Sequence, residues 1–94
     1  MYRIIAGKWK AKKIAAPKNF DVRPTTDFAK EALFSIIENK YDMQASAVLD
    51  LFAGIGSITF EFASRDCKDV TSVELNPKHT SFLNSTASEL GFSL

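Results

Sequence analysis

A short apolar run that ends in two glycines constrains the fold of this chain more than any other stretch. Residues 48–52 are apolar except for Asp50, and Gly54 and Gly56 follow almost at once. An apolar run of this length, bounded by glycine, is typical of a buried strand. The glycines predict a tight turn that a ligand can approach closely, and residues 57–64 predict a short helix. Strand, Gly-x-Gly and helix in this order begin a nucleotide-binding βαβ unit.

A carboxylate stands where such a unit would bind a ribose. Residues 70–74 predict a second strand that ends at Glu74, and Asp50 lies near the carboxyl end of the first strand. A right-handed βαβ crossover makes the two strands parallel, and ligands bind beyond their carboxyl ends. Glu74 can accept hydrogen bonds from both hydroxyls of a ribose, so the pattern predicts an adenosine-type nucleotide. The alternative is a glycine turn with a purely structural purpose.

The flanking segments predict an α/β fold. Residues 2–14 predict a β-hairpin that turns at Gly7, and residues 28–40 predict an amphipathic helix capped by one of residues 25–27. The apolar positions of that helix are Ala29, Ala32, Leu33, Ile36 and Ile37. A third helix is predicted between Asn76, as its cap, and Gly91, just past its end. The fold is therefore a β-hairpin and a helix followed by a Rossmann-like β-α-β-α unit with parallel strands, which we divide into residues 1–22 and 23–94.

The charges of the chain are unevenly distributed. The 94 residues carry a net charge of +1, but residues 1–20 hold six basic side chains and no acidic one. A basic arm on an acidic body favours contact with a polyanion such as RNA. The alternative is a lysine-rich edge strand that blocks aggregation. Trp9, among these lysines, is predicted either to stack on a base or to pack the hairpin onto the body.

Other classes of protein fit the composition less well. No apolar run approaches the roughly 18 residues that a membrane helix needs. The lone cysteine, Cys67, cannot form an internal disulfide. Both observations favour a cytoplasmic protein that does not span a membrane. His79 is predicted to be a surface residue, and neither a metal site nor a catalytic residue is predicted in the chain.

Thr59 bears on which nucleotide is bound. A dinucleotide site requires a small third residue in Gly-x-Gly-x-x-Gly/Ala, and Thr59 is bulkier and β-branched. A Walker lysine is also absent from the sequence. An adenosine ligand without a pyrophosphate, such as S-adenosylmethionine, fits these residues better.

Three stretches together resemble the RsmD family of RNA methyltransferases. They are residues 3–8 (Arg-Ile-Ile-Ala-Gly-Lys), residues 23–27 (Arg-Pro-Thr-Thr-Asp) ahead of Glu-Ala-Leu-Phe at 31–34, and residues 48–54. The resemblance covers essentially the whole chain and implies methyl transfer from S-adenosylmethionine to the exocyclic N2 of a guanine in small-subunit ribosomal RNA. It implies that the cofactor is held by Asp50, Phe52, Gly54, Gly56, Glu74 and Thr26. It also implies that RNA is bound by Arg3, Lys8, Trp9, Lys10, Lys12, Lys13 and Arg23.

The chain departs from the family in one respect. Family members continue for about as many residues again and carry an Asn/Asp-Pro-Pro-aromatic sequence, which would hold the flipped-out base. Here Asn76 and Pro77 are at the wrong place, and helix capping explains them. We therefore expect the N-terminal part of a Rossmann-like methyltransferase, inactive alone. With two parallel strands, its apolar edge would favour a homodimer or a domain swap. The alternatives are a non-catalytic RNA-binding module and, less well supported, an NAD-binding oxidoreductase fragment.

Overall fold

The structure, a computed structural model, describes residues 1–20 and 25–94. Within these residues the chain forms, in order, β1 (Tyr2–Arg3), β2 (Lys13–Ile14), α1 (Asp27–Lys40), a 3₁₀ turn (Met43–Ala45), β3 (Ala47–Asp50), α2 (Ser57–Ser64), β4 (Asp69–Ser72) and α3 (Pro77–Leu90). The predicted order of elements is confirmed. Arg23 and the predicted domain boundary after residue 22 lie outside the described residues, so the division into two parts stays a prediction.

The central pair of strands is parallel, as the crossover rule requires. β3 and β4 pair with Val48 beside Val70 and Asp50 beside Ser72. Both strands are shorter than the sequence predicted, since regular pairing stops at Asp50 and Ser72. The hydrogen bonding nevertheless continues, because the Val73 N–H donates to the Asp50 carbonyl at 2.7 Å. Glu74 thus follows the second strand by two residues instead of closing it.

The ends of the helices follow their predicted caps. The Thr26 hydroxyl accepts from the Ala29 N–H and caps α1. The Asn76 side chain accepts from the Lys78 N–H, and Pro77 is the first residue of α3. Gly91 ends α3 in the left-handed conformation, with φ of 71°. Local capping chemistry therefore sets these boundaries.

The predicted N-terminal hairpin forms, but much of it is turn. β1 and β2 pair antiparallel over two residues each, with Tyr2 beside Ile14. The predicted second arm, residues 9–14, is strand only at Lys13 and Ile14. Trp9 lies in the turn that joins the two arms. Tyr2 and Ile14 are buried, so the hairpin contributes to the core.

Two apolar clusters form the core. One joins the hairpin to α2 and α3 and contains Tyr2, Ile4, Ile14, Ala53, Ile55, Phe60, Leu83 and Ala87. The other joins α1 to α2 and β4 and contains Phe34, Met43, Phe62, Cys67 and Val70. Members of both clusters come from α2, so this helix is the centre of the packing.

Most of the predicted apolar face of α1 is exposed, although one of its residues, Ile37, is partly buried against the second cluster. Phe34 and Lys30 are buried, whereas Leu33 and Ile36 are 41% and 58% exposed. Lys30 is buried because its amine meets Glu61 of α2 at 3.4 Å. The apolar spacing correctly predicted a helix, but an ion pair inside the protein decided its orientation.

One face of the β3–β4 sheet carries exposed apolar side chains. Val48 and Val70 face the second cluster, so the alternate residues point the other way. Leu49, Leu51 and Val73 are 59%, 56% and 46% exposed.

Across the described part of the chain, no helix has the length and apolarity that a membrane span requires.

Candidate nucleotide and RNA site

The glycine turn lies between β3 and α2 and has two different glycines. Gly54 and Gly56 have φ of 57° and 92°, a region that favours glycine. A Cβ on Gly54 would meet nothing within 4 Å, whereas a Cβ on Gly56 would lie 2.5 Å from the Phe60 ring. Gly54 therefore borders open space that a ligand could fill, and Gly56 allows α2 and α3 to pack closely.

The Glu74 carboxylate lies directly against this turn. Its Oε1 accepts a hydrogen bond from the Gly54 N–H at 2.9 Å, and its Oε2 accepts one from the Asn76 N–H at 2.9 Å. The hydrogen bond from the Asn76 N–H lowers the pKa of Glu74 by more than partial burial raises it, and Gly54 and His79 lower it further. The carboxylate is therefore ionised at neutral pH. Each oxygen keeps acceptor capacity for a ligand hydroxyl.

Asp50 is held by residues of the following helix and strand. The Thr59 hydroxyl donates to Asp50 Oδ2 at 2.8 Å and lies 2.8 Å from the Ser72 hydroxyl. Thr59 is fully buried. From the sequence, Thr59 served only to choose among nucleotides, and this positioning contact was missed. The sequence did contain a signal for this contact: a hydroxyl residue in the first turn of the predicted helix that follows a carboxylate at the end of a strand.

His79 is not the surface residue that the sequence predicted. Its side chain is 12% exposed, and its Nδ1 lies 3.5 Å from Glu74 Oε2. The Phe20 ring packs on it with ring centres 5.0 Å apart. The first turn of α3 brings His79 back beside Glu74, a proximity that linear spacing does not reveal.

A cavity lies beside Glu74, and Ser57 and Phe52 are two further residues close in sequence to the glycine turn. Glu74, Ser72 and Asn84 border a cavity of about 300 Å³. Ser57, the first residue of α2, has a buried hydroxyl without a hydrogen-bond partner in the described part of the chain. Phe52 is 91% exposed.

The remaining predicted cofactor residue, Thr26, lies at the start of α1. Its hydroxyl is engaged by the Ala29 N–H at 3.2 Å. Arg3, from β1, reaches the same helix start, since its Nε lies 2.6 Å from Asp27 Oδ2. The structure therefore engages Arg3 with a carboxylate of its own chain.

The hairpin presents its lysines to solvent. Lys8, Lys10, Lys12 and Lys13 are all exposed. Trp9 is partly buried against the first apolar cluster, and its ring contacts Phe92 edge-on at 6.1 Å. Of the two roles predicted for Trp9, this geometry matches the packing role.

Among residues 1–20 and 25–94, no group of three His, Cys, Asp or Glu side chains is close enough to hold a metal ion.

A parallel strand pair, a glycine turn and a facing acid define this chain as part of a Rossmann-like nucleotide-binding fold, of the kind found in methyltransferases. The family model described as conserved hypothetical protein 95 matches residues 2–94. The chain therefore belongs to that family, the RsmD family.

Named relatives agree with this assignment. The chain is 43% identical over 74 residues to ribosomal RNA small subunit methyltransferase D of Haemophilus influenzae, covering 79% of this chain and 37% of that protein. It is 37% identical over 75 residues to the Escherichia coli protein of the same name, covering 79% and 36%. The chain thus spans little more than a third of these relatives.

Solved structures of methyltransferases share the fold. A putative methyltransferase from Escherichia coli, yhhF, superposes with a TM-score of 0.82 at 29% identity, over 96% of this chain and 47% of that one. A putative methylase from Haemophilus influenzae gives 0.73 at 36% identity, over 98% and 46%. The whole described architecture therefore corresponds to about half of a methyltransferase domain.

Proposed function

We propose that this chain supplies the S-adenosylmethionine-binding turn and an RNA-binding hairpin of a methyltransferase that acts on small-subunit ribosomal RNA. The modified atom is the exocyclic N2 of a guanine, as the resemblance to the family implies. The observation that carries the proposal is the contact between Glu74 and the Gly54 N–H. Through this contact, the acid that we propose to bind the ribose lies beside the glycine turn, in a fold shared with methyltransferases.

The residues around the turn fit such a cofactor. Open space lies over Gly54, and the carboxylate of Glu74 has free acceptor positions for ribose hydroxyls. The unpartnered hydroxyl of Ser57 is a hydrogen-bonding group at the same turn. When bound, S-adenosylmethionine supplies an electrophilic methyl group on its sulfonium. This chain binds and orients the cofactor. Holding the methyl group close to its acceptor, in the correct geometry, raises the rate of transfer.

Asp50 and Glu74 have different parts in this proposal. The two hydrogen bonds that the Asp50 carboxylate accepts, from the Thr59 hydroxyl and from the Phe52 N–H, fix the shape of the turn. Glu74 faces the ligand. Phe52 and Thr26 border the cofactor in the proposal; Phe52 offers an exposed ring, and Thr26 stands at the start of α1.

The RNA side of the proposal rests on the hairpin lysines. Lys8, Lys10, Lys12 and Lys13 are free of the ion pairs found in the described residues. Exposed lysines of this kind bind phosphates and release counterions. Arg23 and Arg3 belong to the same proposed surface, although the Arg3 guanidinium must leave or share Asp27 to reach a phosphate. Trp9 supports the surface from behind, with Lys8 Nζ 4.5 Å from its ring centre.

Calorimetry with S-adenosylhomocysteine tests the cofactor site. We expect the 94-residue chain to bind it, and Glu74→Gln to weaken binding about 10- to 100-fold because the charge-assisted hydrogen bonds are lost. Glu89→Gln is the matched control: it removes the same charge from an exposed position of α3 and should leave the affinity unchanged. No heat with the unaltered chain would leave a non-catalytic RNA-binding module. Heat with NAD instead would revive the oxidoreductase alternative, against which Thr59 argues.

A further inference from the structure

A buried group of three charged side chains joins α1 to α2. The side chains of Lys30 and Glu61 are fully buried, and Arg65 is 8% exposed. Glu61 Oε1 lies 3.4 Å from Lys30 Nζ, and Glu61 Oε2 lies 2.8 Å from Arg65 Nε. Burial lowers the pKa of Lys30, and Glu61 opposes this shift. Removing ions from water is costly, so an arrangement of this kind needs further hydrogen bonds.

Those further hydrogen bonds come from the hairpin. Glu61 Oε1 accepts from the Ile5 N–H at 2.9 Å, and Oε2 accepts from the Ala6 N–H at 3.2 Å. Lys30 Nζ donates to the Arg3 carbonyl at 2.6 Å. The carboxylate of Glu61 therefore contacts α1, α2 and the backbone after β1 at the same time.

Ser64, on the next turn of α2, holds the turn that carries the lysines. Its hydroxyl donates to the Ala6 carbonyl at 2.6 Å and accepts from the Trp9 N–H at 3.1 Å. Its carbonyl accepts from the Lys8 N–H at 2.9 Å. A Cβ on Gly7 would lie 1.9 Å from this carbonyl oxygen, so the hairpin backbone lies directly on the helix.

The same helix begins at the glycine turn. Ser57 is its first residue, and Tyr2 of β1 donates from its hydroxyl to the Ile55 carbonyl at 2.9 Å, inside that turn. The hairpin is thus fixed at three points of one short segment: the turn, Glu61 and Ser64.

We propose that Glu61 is a positioning residue that holds the basic hairpin on the helix of the cofactor turn, and so sets where RNA meets the methyl donor. This rests on the proposed RNA-binding role of the hairpin. Apolar side chains of similar volume would often stabilise a core as well as buried ions do. The distinct contribution of the carboxylate is therefore geometric, since it aligns two backbone N–H groups and two cations from three segments.

Two substitutions in the 94-residue chain test this inference. Glu61→Gln keeps the size of the side chain but turns an N–H₂ donor toward a backbone donor. Ser64→Ala is milder and removes the hydroxyl hydrogen bonds to Ala6 and Trp9. The control is Glu38→Gln, because Glu38 also pairs with Arg65, at 3.5 Å, yet its side chain is 45% exposed and lies on α1.

Three readouts separate a positioning role from a general loss of structure. Amide exchange should accelerate at least about tenfold at Ile5 and Ala6 in Glu61→Gln and at Trp9 in Ser64→Ala, while β3 and β4 stay protected. The affinity for a short single-stranded RNA should fall at least about tenfold, with a slope against salt that is shallower by about 0.7 for each phosphate that the hairpin no longer binds. The affinity for S-adenosylhomocysteine should change less than about twofold, and the control should match the unaltered chain.

Several outcomes would overturn the inference. One is a Glu61→Gln variant whose RNA affinity and its dependence on salt are unchanged, although amide hydrogen exchange at Ile5 and Ala6 is accelerated. Another is a parallel loss of both ligands and of all protected amides in Glu61→Gln, with Ser64→Ala unaffected. If the unaltered chain binds S-adenosylhomocysteine but no RNA, the RNA part of the proposed function fails, and the positioning role falls with it.

Discussion

Gly54 and Gly56 share a left-handed backbone but differ in what surrounds them. Gly54 borders open space, and Gly56 lies against the buried Phe60 ring and the side chain of Leu83. The sequence motif treats both as ligand-binding glycines. In the structure, Gly56 is required for close packing, and Gly54 borders open space.

Alanine substitutions should separate these two roles. Gly54→Ala carries only the strain of a positive φ, about 1–2 kcal/mol of unfolding free energy, but places a methyl group in the open space where we propose that the cofactor binds. Gly56→Ala adds overpacking against Phe60, which typically costs about 1–3 kcal/mol more. We expect the urea midpoint to fall further for Gly56→Ala, and S-adenosylhomocysteine affinity to fall at least about tenfold for Gly54→Ala. An equal loss of stability in both variants would contradict this assignment.

At the scale of the element, α1 shows what spacing alone cannot determine. Its apolar positions predict a helix, and the helix runs from Asp27 to Lys40. Yet the residues that anchor it are Phe34, against Phe62 of α2 with ring centres 4.6 Å apart, and Lys30, against Glu61. A charged residue within the buried face follows from the presence of Glu61 on a neighbouring helix.

The loss of stability on replacing a residue of α1 should therefore not follow the hydropathy of that residue. Lys30→Met leaves Glu61 without one of its two cations and should lower the free energy of unfolding by about 3 kcal/mol. Ile36→Ala removes an exposed apolar side chain and should change it by no more than about 0.5 kcal/mol. Urea unfolding at one fixed protein concentration gives both values. A larger effect at Ile36 than at Lys30 would show that the predicted apolar face is the one that packs.

At the scale of the whole molecule, the sheet is covered on one face. Parallel sheets are normally buried on both faces. Here α2 and the second apolar cluster lie on one side, while Leu49, Leu51 and Val73 are exposed on the other. The homodimer or domain swap predicted from the sequence was placed at the strand edge; we propose instead that a second copy of the chain covers this face.

Self-association should then depend on the sheet face specifically. Sedimentation velocity over a micromolar range should show a species heavier than one chain, and thermal midpoints should rise with concentration. Leu49→Asn should shift the distribution toward monomer. Leu33→Asn, a similar change on the exposed side of α1, should leave it unchanged. A monomer with a concentration-independent, cooperative transition would rule the dimer out.

The features of the site divide according to how local their geometry is. The glycine turn, the strand-end Asp50 and the caps at Thr26 and Asn76 depend on neighbours within a few residues, and the sequence located them. The partial burial of His79 and the support of Asp50 by Thr59 depend on α2 and α3 returning to the same edge of the sheet. The contact of His79 has no linear signature, and the signal for the contact of Asp50 is limited to a hydroxyl at the start of the predicted second helix.

The sequence by itself determined the order of elements, the parallel strand pair, the glycine turn facing an acid, and the family. Each follows from local conformational preference, apolar periodicity or a short motif, all of which are properties of neighbouring residues. Only the tertiary structure decided which side of α1 is buried, which glycine is open to a ligand, and how the basic hairpin is held on α2. These depend on charges and backbone groups that are distant along the chain, such as Glu61 with Ile5 and Ala6, and that meet only when the core is packed.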